Sequence, residues 1–97
     1  MNRVEHLLEC LSEECSEVGQ RVSKALRFGL GEVQAGQPLT NAERVVVELK
    51  DLLAVVEILV DESIIPHPMV TPVEVDAKRD KIERFMAIAR EQGVLTP

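Results

Sequence analysis

Residues 43–59, ERVVVELKDLLAVVEIL, decide the fold. At about 100° per residue, Val45, Leu49, Leu52, Val56 and Leu59 fall on one stripe of a helix, with Glu48 pointing into it. Asp51 follows on the adjoining flank. An ionised carboxylate among valines and leucines loses its hydration, at a cost of several kcal/mol unless a positive or hydrogen-bonding group replaces the water. No Lys, Arg or His shares that stripe. The most economical compensation is a metal ion held jointly with acids from another helix.

The chain has one such helix upstream. From about Arg3 to Phe28, Val4, Leu7, Leu8, Leu11, Cys15, Val18, Val22 and Leu26 recur at helical spacing. Glu14 sits on the edge of that stripe and Glu17 just beyond it on the same side, because residues three apart are neighbours on a helix surface. Glu13 points elsewhere. Arg21 and Lys24 continue the flank that Glu17 begins, and Arg27 neighbours Lys24. Between the helices, FGLGEVQAGQPL (28–39) holds three glycines and a proline and is expected to be loop. It is longer than a tight connection needs, so a mobile lid and a plain surface connection both remain open.

Thr40 with Glu43 forms a capping box that starts the second helix. This helix is expected to run to about Ile64, where Pro66 and Pro68 stop it. Thr71, Pro72 and Glu74 give a second capping box with proline at the first helical position, so a third helix starts there and ends at Gly93. Val75, Ile82, Phe85, Met86 and Ala89 supply its apolar side, and Lys78 and Lys81 lie near its start. The tail from Val94 to Pro97 either frays or packs on a partner. His6 and His67 are isolated, and neither sits in a ligand pattern.

The 97 residues suit a single all-α domain, 1–97, with one modest core. Phe28 and Phe85 are the only aromatics, so a core of three helices alone would be thin. The central helix is apolar almost all round, which predicts a bundle completed by a second copy, a homo-oligomer. A net charge of −6 with no basic stripe argues against nucleic acid as a partner. No signal-peptide pattern or bilayer-length apolar run is visible, so no membrane partner and a cytoplasmic location are expected. Cys10 and Cys15, five apart on one helix, point about 140° apart and cannot bridge, and Cys15 fits the apolar face as a reduced thiol.

Two acid pairs therefore stand out, Glu14 with Glu17 and Glu48 with Asp51. Each presents both carboxylates to one side, and antiparallel packing of the two helices could bring all four together. Such a cluster suits Mg²⁺, which takes oxygen ligands in a tight octahedron and keeps waters that a phosphate displaces; zinc would favour His or Cys. Glu-x-x-Glu and Glu-x-x-Asp are common strings in charged helices. What singles these out is placement, at the border of one apolar stripe and inside another.

The order Glu14-x-x-Glu17, then Glu48-x-x-Asp51 across a helix-loop-helix, resembles the metal-binding signature of the MazG-like all-α nucleoside triphosphate pyrophosphohydrolases. The strings LSEECSEVGQRVSKALRFG and VVELKDLLAVVEIL are similar to that family, and KRDKIERFMAIAREQGVL resembles the last helix of its short phage and bacterial members. The resemblance implies an all-α dimer or dimer of dimers. It also implies cleavage of a nucleoside triphosphate between its α and β phosphates, giving a monophosphate and pyrophosphate. Glu14, Glu17, Glu48 and Asp51 would then be the catalytic Mg²⁺ (or Mn²⁺) ligands, one of them orienting or deprotonating the attacking water. Lys24 and Arg27 are candidates for phosphate contacts, and Lys78 and Lys81 could reach the site from the third helix or a neighbouring subunit, with a solvated-face reading standing beside each.

No Ser-His-Asp or Cys-His arrangement is visible, nor a phosphate loop of the Gly-x-x-x-x-Gly-Lys kind. Two alternatives stay in view: a non-enzymatic helical dimer acting as adaptor or regulator, and a phosphoribosyl-ATP pyrophosphatase.

Overall fold

The computed structural model describes residues 1–96 and is all-helical, with α1 at Arg3–Phe28, α2 at Asn41–Asp61 and α3 at Pro72–Glu91. Pro97, and with it the end of the tail, lies outside the described residues. By contact the chain divides into two compact units, Met1–His67 and Pro68–Pro97. No helix among the described residues is long and apolar enough to cross a membrane.

Local chemistry sets the helix starts. The Asn2 side chain accepts from the Glu5 N–H at 2.9 Å and caps α1. Both expected capping boxes are present, Thr40 with Glu43 on α2 and Thr71 with Glu74 on α3, the latter with Pro72 in its first turn. At the start of α2 the chain also satisfies N–H groups that a helix leaves open: Asn41 N–H donates to the Glu32 carbonyl at 2.9 Å and Ala42 N–H to that of Leu30 at 3.0 Å.

Those bonds fasten the 29–39 loop to α2. The buried Asn41 side chain donates to the Gly29 carbonyl at 2.8 Å and to Glu32 Oε1 at 3.1 Å, and Arg44 donates to Gln34 Oε1 at 2.7 Å. An isolated antiparallel bridge joins Val33 to Thr40. Gly29 leaves α1 with φ +101°, a conformation a side chain would resist.

α2 stops at Asp61, three residues short of the expected Ile64. The stop is Ser63, which turns left-handed at φ +59° so that Ile64 N–H reaches back to the Leu59 carbonyl at 2.9 Å. Helix α3 closes in the same way at its glycine, with Gly93 at φ +73° and Val94 N–H bonded to the Ala89 carbonyl at 2.9 Å.

Helices α1 and α2 form an antiparallel pair. At one end Arg3 forks onto Glu62 with bonds of 2.8 and 2.6 Å; at the other the Gly29 carbonyl meets Asn41. Between them, Leu7, Cys10, Leu11, Glu14, Glu17, Val18, Arg21 and Ala25 of α1 are the positions withdrawn from solvent, facing Val45, Glu48, Leu52, Val55, Val56 and Leu59 of α2. Leu59 and Ala25 are the buried apolar residues.

This seam corrects the expected α1 stripe. Val4, Leu8, Val22 and Leu26 lie about a quarter turn round from it and stay exposed, and Cys15, expected on the packed face, is exposed with them. Cys10, not Cys15, is the half-buried thiol. On α2, Leu49 is likewise exposed at the margin of its stripe. In the second unit, Val75, Ile82, Phe85 and Ile88 of α3 are all exposed.

Candidate metal centre

The seam carries acids half way along. Glu14 and Glu17 are three apart on α1 and so share its inner edge, while Glu48 is the polar member of α2's inward stripe. Antiparallel packing brings one oxygen of each carboxylate within 4.8 Å of the other two. All three residues are half-buried.

Nothing positive neutralises them. The ion pairs among the described residues are Arg3–Glu62, His67–Glu57 and Arg79–Asp76, all elsewhere. Glu14 Oε2 is shut off from solvent and has no hydrogen-bond partner, a state that buried carboxylate oxygens rarely occupy. The Glu14 carboxylate, burial, then Glu48 and Glu13 push the Glu17 carboxyl above its ordinary value, and a hydrogen bond with Glu14 adds to the shift. Beside like charges and an aliphatic wall, Glu17 holds its proton more tightly.

The donor set fits a hard divalent cation. It is all oxygen, it is anionic, and one oxygen lacks any other partner. Ligand oxygens about 2.1 Å from one ion lie about 3–4 Å apart, so closing the three onto a Mg²⁺ needs only small side-chain movements. Neither cysteine nor histidine belongs to the cluster.

The remaining expected residues fall in different places. Asp51 is exposed and does not join the three converging carboxylates. Lys24 lines a cleft of about 270 Å³ with Phe28, Glu32, Val33 and Gln34, at the loop end of α1. Arg27 is exposed, its guanidinium 5.0 Å from the centre of the Phe28 ring. Lys78 and Lys81 line an apolar groove of about 340 Å³ within the second unit, with Ile82, Phe85 and Met86. His67 Nε2 lies 3.2 Å from Glu57 Oε1 on the surface.

Two residues carry more than the sequence pattern suggested. Asn41, which no sequence pattern singles out, is the buried anchor of the loop. Arg21 reads as one base among several on a flank, yet it is half-buried in the seam, with Nη1 shut off from solvent and unpartnered. Its spacing was the available signal: four after Glu17 and four before Ala25, it shares the packed face with both.

No family model matches this chain, and no curated protein or solved structure matches it. Fold and site therefore define it as an all-α chain whose paired helices bring three uncompensated carboxylates together.

Proposed function

We propose that the chain is a Mg²⁺-dependent, MazG-like nucleoside triphosphate pyrophosphohydrolase, cleaving between the α and β phosphates to release a monophosphate and pyrophosphate. A role in clearing unwanted nucleotides fits that activity. The observation that carries the reading is the convergence of Glu14, Glu17 and Glu48 with no positive partner and one stranded oxygen. Folding alone gives no reason to assemble such a group.

Glu14, Glu17 and Glu48 hold the cation in this reading; Asp51, three residues beyond Glu48 and exposed, would become the fourth ligand only by moving towards them. When bound, Mg²⁺ or Mn²⁺ supplies neutralisation of phosphate oxygens and a water that ionises more easily. One of the carboxylates would orient the attacking water or accept its proton, so the chain needs no nucleophilic side chain of its own. Lys24, at the mouth of the loop cleft, and the exposed Arg27 face incoming phosphates by charge, and Lys78 and Lys81 are further candidates for that role.

A homo-oligomer, dimer or dimer of dimers, completes the bundle. In support, Val46, Val47, Leu49, Leu53 and Ile58 of α2 remain exposed, as do Val4, Leu8, Val22 and Leu26 of α1. The same surface favours the second reading, a non-enzymatic helical dimer.

Glu48→Gln separates the two. The enzyme reading expects Mg²⁺ to raise the Tm of the wild-type chain, and the substitution to abolish that rise. Pyrophosphate release should fall by at least about a hundredfold, with helix content and oligomer size unchanged. A wild-type chain that neither binds Mg²⁺ nor releases pyrophosphate from any nucleotide of a broad panel leaves the adaptor reading.

A further inference from the structure

Arg21 lies in the same seam as the three carboxylates but is not one of the cation's ligands. It is half-buried in the seam, with Nη1 shut off from solvent. A buried N–H without an acceptor is costly and rare in folded chains. Yet Nη1 has no partner, although Glu17 lies one turn away on the same face and Glu14 two turns away. No ion pair joins Arg21 to either acid or to Glu48.

One stretch of the seam thus holds two complementary orphans, a carboxylate oxygen of Glu14 and a guanidinium nitrogen of Arg21. Seven residues apart, they are separated by about 10 Å along the helix axis. A direct salt bridge would have satisfied both at once. What satisfies them separately is a ligand with a cationic end and an anionic end, and a metal-bound phosphate group has that form.

We infer that Arg21 is a phosphate-binding residue of this centre, its inward nitrogen donating to an oxygen of a phosphate chain held beside the carboxylates. The inference rests on the nucleotide reading above and adds to it the residue that grips the anion. Arg21 suits the task better than Lys24 or Arg27. They are exposed, and Arg27 already lies against Phe28, whereas Arg21 is half-buried with Nη1 shut off from solvent, and its planar fork matches phosphate oxygens.

Calorimetric titration of the full chain with Mg²⁺ alone, then with pyrophosphate in excess Mg²⁺, tests this in the wild type, Arg21→Met and Arg21→Lys. Both variants should keep Mg²⁺ affinity and lose at least about tenfold in pyrophosphate affinity, lysine failing because it offers a point charge in place of a fork. The metal-free Tm of Arg21→Met should equal or exceed that of the wild type, since an unsatisfied buried nitrogen is removed. Should the methionine variant not fold, Arg21→Lys, which keeps the charge, decides on affinity alone.

Pyrophosphate affinity equal in all three proteins would overturn the inference, as would metal-free melting temperatures lowered in step with lost affinity, the mark of a structural arginine. Mg²⁺ binding with Arg21-independent pyrophosphate uptake keeps the metal reading and removes this one. Arg21-dependent pyrophosphate uptake without Mg²⁺ binding does the reverse.

Discussion

The seam between α1 and α2 changes character along its length. Where α1 begins and α2 ends, Leu59 is fully buried and Arg3 forks onto Glu62, so apolar and polar groups are both satisfied. Half way along, the same two helices confine three carboxylates and leave Glu14 Oε2 and Arg21 Nη1 without partners. The first region is explained by folding. The second opposes folding, and the proposed metal and phosphate ligands would supply the partners missing there; on that proposal stability and function occupy neighbouring stretches of one interface and should respond oppositely to mutation.

The sharpest way to break that contrast is Leu59→Ala. Truncating a fully buried leucine removes its burial and leaves a cavity, which costs about 2–5 kcal/mol. Small domains hold only about 5–15 kcal/mol in total, so urea midpoints should fall steeply. A loss below about 1 kcal/mol would show that the satisfied end is not where the pair is held together.

A smaller effect, of opposite sign, belongs to the acidic stretch. Neighbouring acids raise the Glu17 carboxyl, so the folded chain binds that proton more tightly than the unfolded chain does. Without metal, its contribution favours folding at acid pH and declines as pH rises from the ordinary carboxylate value through the raised one. Glu43 and Glu62 run the other way. The Thr40 backbone N–H and hydroxyl lower the first and the Arg3 fork lowers the second, so both stabilise fully above the ordinary value and lose this as pH falls through their lowered ones. Urea midpoints of the metal-free protein should therefore pass through a maximum near the carboxylate range. Glu17→Gln should flatten the decline on the neutral side, and so should saturating Mg²⁺ in the wild type. A decline that survives both would mean that the three acids do not interact.

The sequence carries the helix starts because capping is local chemistry: Thr40 with Glu43 and Thr71 with Glu74 need no tertiary partner. It also carries Glu48, since an acid within an aliphatic stripe is visible from spacing alone. The end of α2 was hidden because Ser63 takes the left-handed turn that glycine usually signals. The packed face of α1 was hidden for a deeper reason. Two apolar sets lie about a quarter turn apart on that helix, and the one covered within the chain is the one interrupted by Glu14, Glu17 and Arg21. Reading apolar as inward therefore merged the two sets into one stripe, in which Leu7, Leu11 and Val18 belong to the covered face and Val4, Leu8, Cys15, Val22 and Leu26 do not. The acids that obscured the packing are those that suggested the site.

The smallest effect sharpens the comparison from the satisfied end. The Arg3–Glu62 fork is short, but the Arg3 side chain is 73% exposed and Glu62 33%, so water competes for both partners and much of the Coulomb attraction is screened. Arg3→Ala should lower the Tm by no more than roughly 2 °C, and the difference should vanish in 1 M salt, where the screening length is about 3 Å. Its diagnostic value is in the acidic stretch: Mg²⁺ stabilisation should be unchanged, because Arg3 lies eleven residues, three helical turns, before Glu14. Were Arg3→Ala to weaken Mg²⁺ binding, the two regions would be coupled through the register of the helix pair, and the separation of stability from function along the seam would have to be abandoned.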